Sequence, residues 1–180
     1  LLMGRCYAEL PPGVVNMVTG GGEPLITHPQ VDLIAFTGST RVGRHIASLA
    51  GKRLKKINLE LGGIDPFIVF SDAKLDVAVP GVAWARLFNA GQVCTSAKRV
   101  ILLAPIAGEF IRRLVGHVKT LRVGDPMQPD TDIGPLISEQ AAQTVEKQVA
   151  RAVKEGATLA LGGRRFQPQG LKGYFFEPTI

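Results

Sequence analysis

Two residues in this sequence have the chemistry for covalent turnover of a carbonyl compound, Cys94 and Glu60. Cys94 stands in Phe88-Asn89-Ala90-Gly91-Gln92-Val93-Cys94-Thr95, past the end of a helical pattern and a glycine and ahead of a strand-like run. In that setting a thiol faces a cleft, and nearby backbone N–H groups stabilise negative charge. Those conditions favour a thiolate that attacks carbonyls, and the same N–H groups suit an oxyanion on the substrate. The competing reading is a small buried hydrophobe, the common state of a lone cysteine. Glu60 stands in Leu59-Glu60-Leu61-Gly62-Gly63, at the carboxyl end of an apolar strand pattern. Ligands bind at that end of parallel sheets, and a partly desolvated carboxylate there suits a general base. The competing reading is a rim glutamate paired with a lysine.

A third segment, Phe36-Thr37-Gly38-Ser39-Thr40-Arg41-Val42-Gly43, reads as strand, turn, helix. Glycine at the turn and unpaired N–H groups at the helix start make an anion site suited to a dinucleotide pyrophosphate. Arg44-His45 stands where the phosphate loop of nucleotide hydrolases needs Lys then Ser or Thr, and the segment is not G-x-G-x-x-G either. Taken alone, it is equally a capped helix.

The elements around these residues alternate short β-rich runs with helical periodicity, the pattern of a parallel α/β fold. Strands are expected at 14–18, 33–36, 56–61, 66–70 and 99–103. Ser39-Thr40 is expected to cap a helix with Val42, Ile46 and Leu49 on its apolar face. Ser71-Asp72 begins a helix running to about Phe88, with Pro80 in its first turn or at a kink. Phe110, Ile111, Leu114, Val115 and Val118 mark one face of the next. A last helix spans about Ser138 to Glu155, with Gly156 as its left-handed cap. Residues 174–180 look like a strand.

Composition narrows the function. The 180 residues are 46% hydrophobic and 20% charged, ordinary for a globular protein. No apolar run approaches the roughly 20 residues that cross a bilayer, so no membrane partner is expected. The net charge is +6, but the only dense basic cluster, Lys52-Arg53-Leu54-Lys55-Lys56, lacks interleaved aromatics; it reads as a solvated junction, not a nucleic-acid site. The two cysteines and three scattered histidines have no metal-ligand spacing, so no metal is expected. A reducing, cytoplasmic setting follows, and any secretory signal is either absent or upstream of these residues.

Taken together and in order, Phe36-Thr37-Gly38-Ser39-Thr40-x-x-Gly43, Leu59-Glu60-Leu61-Gly62-Gly63 and Gly91-Gln92-x-Cys94 closely resemble the NAD(P)-dependent aldehyde dehydrogenase superfamily. The resemblance runs from Leu10-Pro11-Pro12-Gly13 to Glu177-Pro178-Thr179. It implies an α/β fold in which residues 1–61 end a Rossmann-like dinucleotide-binding domain and 62–180 begin a catalytic thiol domain, both incomplete. It implies Cys94 as nucleophile and Glu60 as the base that activates the deacylating water. Gly38 and Ser39 would form the turn over the pyrophosphate of NAD or NADP, Gly43 the following helix turn, and Leu61 and Gly62 the strand end near the nicotinamide. The implied reaction passes from an aldehyde through a thiohemiacetal and a thioester to a carboxylic acid. Relatives that pass the acyl group to coenzyme A generally lack this glutamate. A homo-oligomeric full-length parent is implied as well.

Ile64 departs from the family pattern, which commonly has Lys or Asn there. Family members are much longer, so the 180 residues are expected to be an internal piece that by itself turns over little or nothing. A catalytically incomplete remnant is therefore one alternative, and a cysteine-dependent acyl transferase or hydrolase is the other. The latter needs a base such as histidine beside Cys94, and none is near in sequence.

Overall fold

A computed structural model describes residues 2–180, with side chains from residue 3. The chain divides into two compact units, Leu1–Gly62 and Gly63–Ile180.

In the first unit, one helical turn, α1 (Leu2–Arg5), and a short helix, α2 (Glu23–Thr27), precede strand β1 (Leu33–Thr37), helix α3 (Thr40–Gly51) and strand β2 (Lys56–Glu60). The strands pair in parallel, from Leu33 opposite Lys56 to Thr37 opposite Glu60. A parallel pair needs a crossover, and α3 supplies it. Ser39 is extended, and its hydroxyl accepts from the Val42 N–H at 3.3 Å, which starts α3 as its sequence suggests. Gly43, Ile46 and Ala50 form the buried face of α3, with Val42 and Leu49 half-buried beside them.

Residues 14–18 are not a strand. β-propensity alone does not hold an extended segment, which needs a ladder partner. These residues have none among the described residues, and Val14, Val15, Met17 and Val18 are exposed.

The second unit contains strand β3 (Pro66–Val69), helix α4 (Leu75–Leu87), a 3₁₀ turn at Phe88–Gly91, strand β4 (Arg99–Leu102) and helices α5 (Ala104–Val118) and α6 (Glu139–Lys154). β3 and β4 pair in parallel, from Pro66 opposite Arg99 to Val69 opposite Leu102. Val69, Val79, Val82, Ala83, Phe110, Leu114 and Val118 form one buried cluster where β3, α4 and α5 meet. Burying each larger side chain of such a set stabilises the fold by roughly 1.5–3 kcal/mol. The buried α5 stripe is Phe110, Leu114 and Val118; Ile111 lies outside it and is exposed.

Helix α4 begins at Leu75, not at Ser71. Residues 71–74 form a turn closed by the Ala73 N–H on Phe70 O, and Lys74 is extended. Pro80 sits beyond the first turn, inside a helix that continues to Leu87. Ser138 caps α6 through the Ala141 N–H at 3.1 Å, and Gly156, at φ 101°, follows its end as expected.

Residues 174–180 form no strand. Their hydrogen bonds are divided among several segments: Tyr174 to Leu136, Phe175 to Phe166, Glu177 to Arg164 and Ile180 to Ala160 and Leu161. No ladder builds up, and only isolated bridges result.

Candidate active site

The register of β1 and β2 brings several predicted site residues together in the first unit. Both strands point their carboxyl ends the same way, so Thr37 and Glu60 end side by side. The Gly38 N–H donates to Glu60 O at 3.0 Å, which ties the turn after β1 to the end of β2. A Cβ on Gly38 would lie 2.4 Å from the Phe36 ring. Ser39 then opens α3. One turn later, a Cβ on Gly43 would lie 2.6 Å from Leu61 Cδ2, so the missing side chain lets α3 and the end of β2 pack closely. Gly38, Ser39, Gly43, Glu60 and Leu61 therefore share one end of the β1–α3–β2 unit. Gly62 follows in an exposed irregular stretch.

Glu60 is exposed, and no lysine or arginine pairs with it among the described residues. The rim-pair reading is thus not met within this unit. The Val42 and Gly43 N–H groups bond to Ser39, whereas those of Thr40 and Arg41 have no partner among the described residues. These exposed donors at the positive end of a helix dipole fit the chemistry of a phosphate-bearing cofactor.

The second unit positions Cys94 on an irregular turn between α4 and β4. The thiol is free and exposed, so it is not a core hydrophobe. Asn89 (φ 51°), Ala90 (φ 55°) and Gly91 (φ 74°) are consecutive left-handed residues. Glycine takes this conformation freely, but an alanine there stores strain of roughly 1–2 kcal/mol. The surroundings over-determine the turn, and that holds the strain in place.

Three side chains do so. Arg86 Nη1 donates to Ser96 Oγ at 2.6 Å and to Gly91 O at 3.2 Å, and Ser96 is buried. Desolvation against this turn lowers the Arg86 pKa from its ordinary value. The Gln92 amide donates to Asn89 O at 3.1 Å and, over a long 3.5 Å, to Pro135 O, while its oxygen accepts from the Ile137 N–H at 2.8 Å. The Lys98 ammonium donates to Cys94 O at 2.7 Å and lies 3.3–3.4 Å from the carbonyls of Ser96 and Val93. The N–H groups of Cys94 and Thr95 make no hydrogen bond among the described residues. No histidine hydrogen-bonds to Cys94 among them either.

Sequence reasoning gave no role to Arg86, Gln92 or Lys98. Gln92 lies inside the quoted motif, and that was its only signal. Lys98 follows Cys94 by four residues and directly precedes β4. Its carbonyl partners depend on the fold of the turn, which periodicity does not report. Among the described residues no cluster of His, Cys, Asp or Glu has the makings of a metal site, and no helix is long and apolar enough to cross a membrane.

Comparison with known proteins identifies the family of the chain. The model of the aldehyde dehydrogenase family matches residues 1–180. The chain is 45% identical to betaine aldehyde dehydrogenase 1 of Oryza sativa subsp. japonica, covering all of this chain and 37% of that protein. It is 43% identical to a probable succinate-semialdehyde dehydrogenase [NADP(+)] of Sinorhizobium fredii, covering 96% of this chain and 36% of that one. A double mutant of Staphylococcus aureus betaine aldehyde dehydrogenase, solved in complex with NAD+, superposes with TM-score 0.91 at 36% identity, over 99% of this chain and 36% of that chain. The chain belongs to the aldehyde dehydrogenase family, and its α/β fold is that family's. It spans a little over a third of the length of the relatives it matches.

Proposed function

We propose that the full-length protein carrying this sequence oxidises an aldehyde to a carboxylic acid with NAD or NADP, using Cys94 as nucleophile and Glu60 as base. In this reading residues 1–61 belong to the dinucleotide-binding domain and 62–180 to the thiol domain. The observation that carries it is the setting of Cys94: an exposed free thiol on a braced turn, next to two N–H donors with no partner among the described residues. Its sulfur adds to the aldehyde carbon, and the oxygen that gains the charge is met by those donors. The nicotinamide, when bound, accepts the hydride released from that carbon. The thioester left on Cys94 is opened by water that has given a proton to Glu60, which returns the thiol.

The exposed N–H groups at the start of α3, with Gly38 and Ser39 before them, are suited to the cofactor pyrophosphate. Gly43 supports this by letting α3 approach Leu61, and Leu61 and Gly62, just past β2, would border the nicotinamide. NAD and NADP both suit the reading, since the relatives named above involve one or the other. The substrate is a small-molecule aldehyde, and the full-length protein is a homo-oligomer in this proposal. A cytoplasmic setting agrees with a free reactive thiol, although relatives are named for peroxisome and chloroplast.

The test is aldehyde-dependent reduction of NAD(P) by the full-length protein and by its Cys94→Ser variant, followed by the absorbance of reduced nicotinamide. Loss of turnover by at least about 10³-fold with cofactor binding intact is expected, in keeping with removal of a nucleophile. Retained turnover would remove Cys94 from the role. Substrate conversion without dinucleotide would favour an acyl transferase or hydrolase instead.

A further inference from the structure

Lys98 is an unusual neighbour for a nucleophile turn. An ammonium has three N–H donors and no acceptor. Here the carbonyls of Cys94 at 2.7 Å, Ser96 at 3.3 Å and Val93 at 3.4 Å converge on it, and Asp65 Oδ2 lies 3.5 Å away. A surface salt bridge alone contributes little. The three carbonyls are a different matter, because one positive charge offsets the repulsion of oxygens gathered around it; of the three, the Val93 oxygen also accepts from the Ser96 N–H at 3.3 Å. The Lys98 side chain is 32% exposed, so this cation is partly withdrawn from water.

Peptide geometry carries the consequence across the turn. In a trans peptide the C=O and the next residue's N–H point in opposite directions, and no cis peptide occurs among the described residues. The Val93 carbonyl shares its plane with the Cys94 N–H, and the Cys94 carbonyl shares its plane with the Thr95 N–H. Holding those two oxygens toward Lys98 therefore turns both N–H groups away from it. Those are the two donors that make no hydrogen bond among the described residues. A cation on the oxygen of an amide also polarises it and strengthens its N–H as a donor.

We propose that Lys98 is a positioning residue for the reaction: its ammonium gathers the carbonyls of Val93, Cys94 and Ser96 on one side of the turn so that the Cys94 and Thr95 N–H groups stay aimed at the oxygen that becomes negative when the thiol adds. The inference rests on Cys94 being the nucleophile. Lys98 touches no substrate atom and acts through these two peptide planes. Asp65 anchors the ammonium from the β3 side.

The experiment compares the full-length protein with its Lys98→Met and Lys98→Arg variants. Methionine keeps a flexible unbranched side chain and removes the charge. Arginine keeps the charge, but its longer, planar fork places its donors differently from a compact ammonium with three rotatable N–H groups. Deleting an oxyanion donor outright typically lowers kcat about 10²–10³-fold, so loosening two of them in Lys98→Met should lower kcat about 10–50-fold. KM for the aldehyde should stay within about twofold, since the oxyanion exists only after addition. Cofactor affinity should not move, and Lys98→Arg should fall between parent and Lys98→Met. A Lys98→Met kcat within about twofold of the parent overturns the proposal. So does a loss that comes with weakened aldehyde or cofactor binding and is not partly restored by arginine. If Lys98→Met fails to fold, Lys98→Arg decides: a kcat about 3–10-fold below the parent at unchanged KM supports the role, and parent kcat overturns it. Cys94→Ser is assayed alongside. Turnover surviving in that variant condemns the nucleophile reading, whereas its loss beside an indifferent Lys98 condemns only this inference.

Discussion

Glu60 and Cys94 are held by opposite means. Glu60 ends a regular strand, and its place is set by a parallel register that runs residue by residue from Leu33 and Lys56 to Thr37 and Glu60. Cys94 belongs to no helix or strand. Its turn is fixed by left-handed backbone at residues 89–91 and by side chains from Arg86, Gln92 and Lys98 reaching carbonyls and a buried hydroxyl. Backbone ladders place the proposed base, and side chains place the proposed nucleophile. Substitution should therefore disturb the two in different ways. The strand end should lose chemistry without losing shape, whereas the turn should lose shape and chemistry together.

Glu60→Gln in the full-length protein tests the first half and, after Cys94→Ser, carries the largest expected effect. The amide nearly matches the carboxylate in size, so β2 and its register should stand. Hydride release in the first turnover should persist, and thioester hydrolysis should slow at least about 10²-fold, within the usual reach of general base catalysis. Pre-steady-state recording would then show a burst of reduced cofactor followed by a stall. Equal loss in both phases would give Glu60 a different role.

Gly91→Ala tests the other half. At φ 74° an added Cβ would meet Arg86 Nη1 at 2.9 Å and the Arg86 backbone oxygen at 3.1 Å. The left-handed conformation and this contact together should cost about 1–3 kcal/mol. Chemical denaturation should show that loss with a fall in turnover. Unchanged stability with normal activity would mean that the turn is not braced as described.

Ser39→Ala has the smallest expected effect. It removes the cap on the Val42 N–H at α3, worth about 1 kcal/mol. Thermal unfolding should register the loss while Glu60-dependent hydrolysis is retained. A selective loss of hydrolysis would show that the strand end leans on α3 more than the ladder implies.

The same contrast explains what could be read from the residues alone. The β1–α3–β2 unit was legible because its signals are local: β-rich runs at 33–37 and 56–60, a serine cap, and helical spacing of Val42, Ile46 and Leu49. α5 was legible for the same reason, apart from Ile111. Segments 14–18 and 174–180 misled, because their composition suits a strand while the partners that make one lie outside local sequence. The start of α4 was misplaced by a turn at 71–74 that a serine-aspartate pair imitates as a cap. At the candidate site, the three motifs that mark the family were legible by residue type and order. Arg86 and Lys98 were not, since a basic residue that satisfies backbone carbonyls looks no different in sequence from one facing water.

Gln92 fastens the Cys94 turn to residues 135–137 with both ends of a single carboxamide, its nitrogen giving and its oxygen receiving. An uncharged amide offers a donor and an acceptor side by side, whereas a carboxylate only accepts. Deamidation of this residue would replace the giving end with a second acceptor facing Asn89 O, and would put a negative charge two residues from the thiol. Slow chemical ageing at one side chain would thus undo a fastening between segments more than forty residues apart.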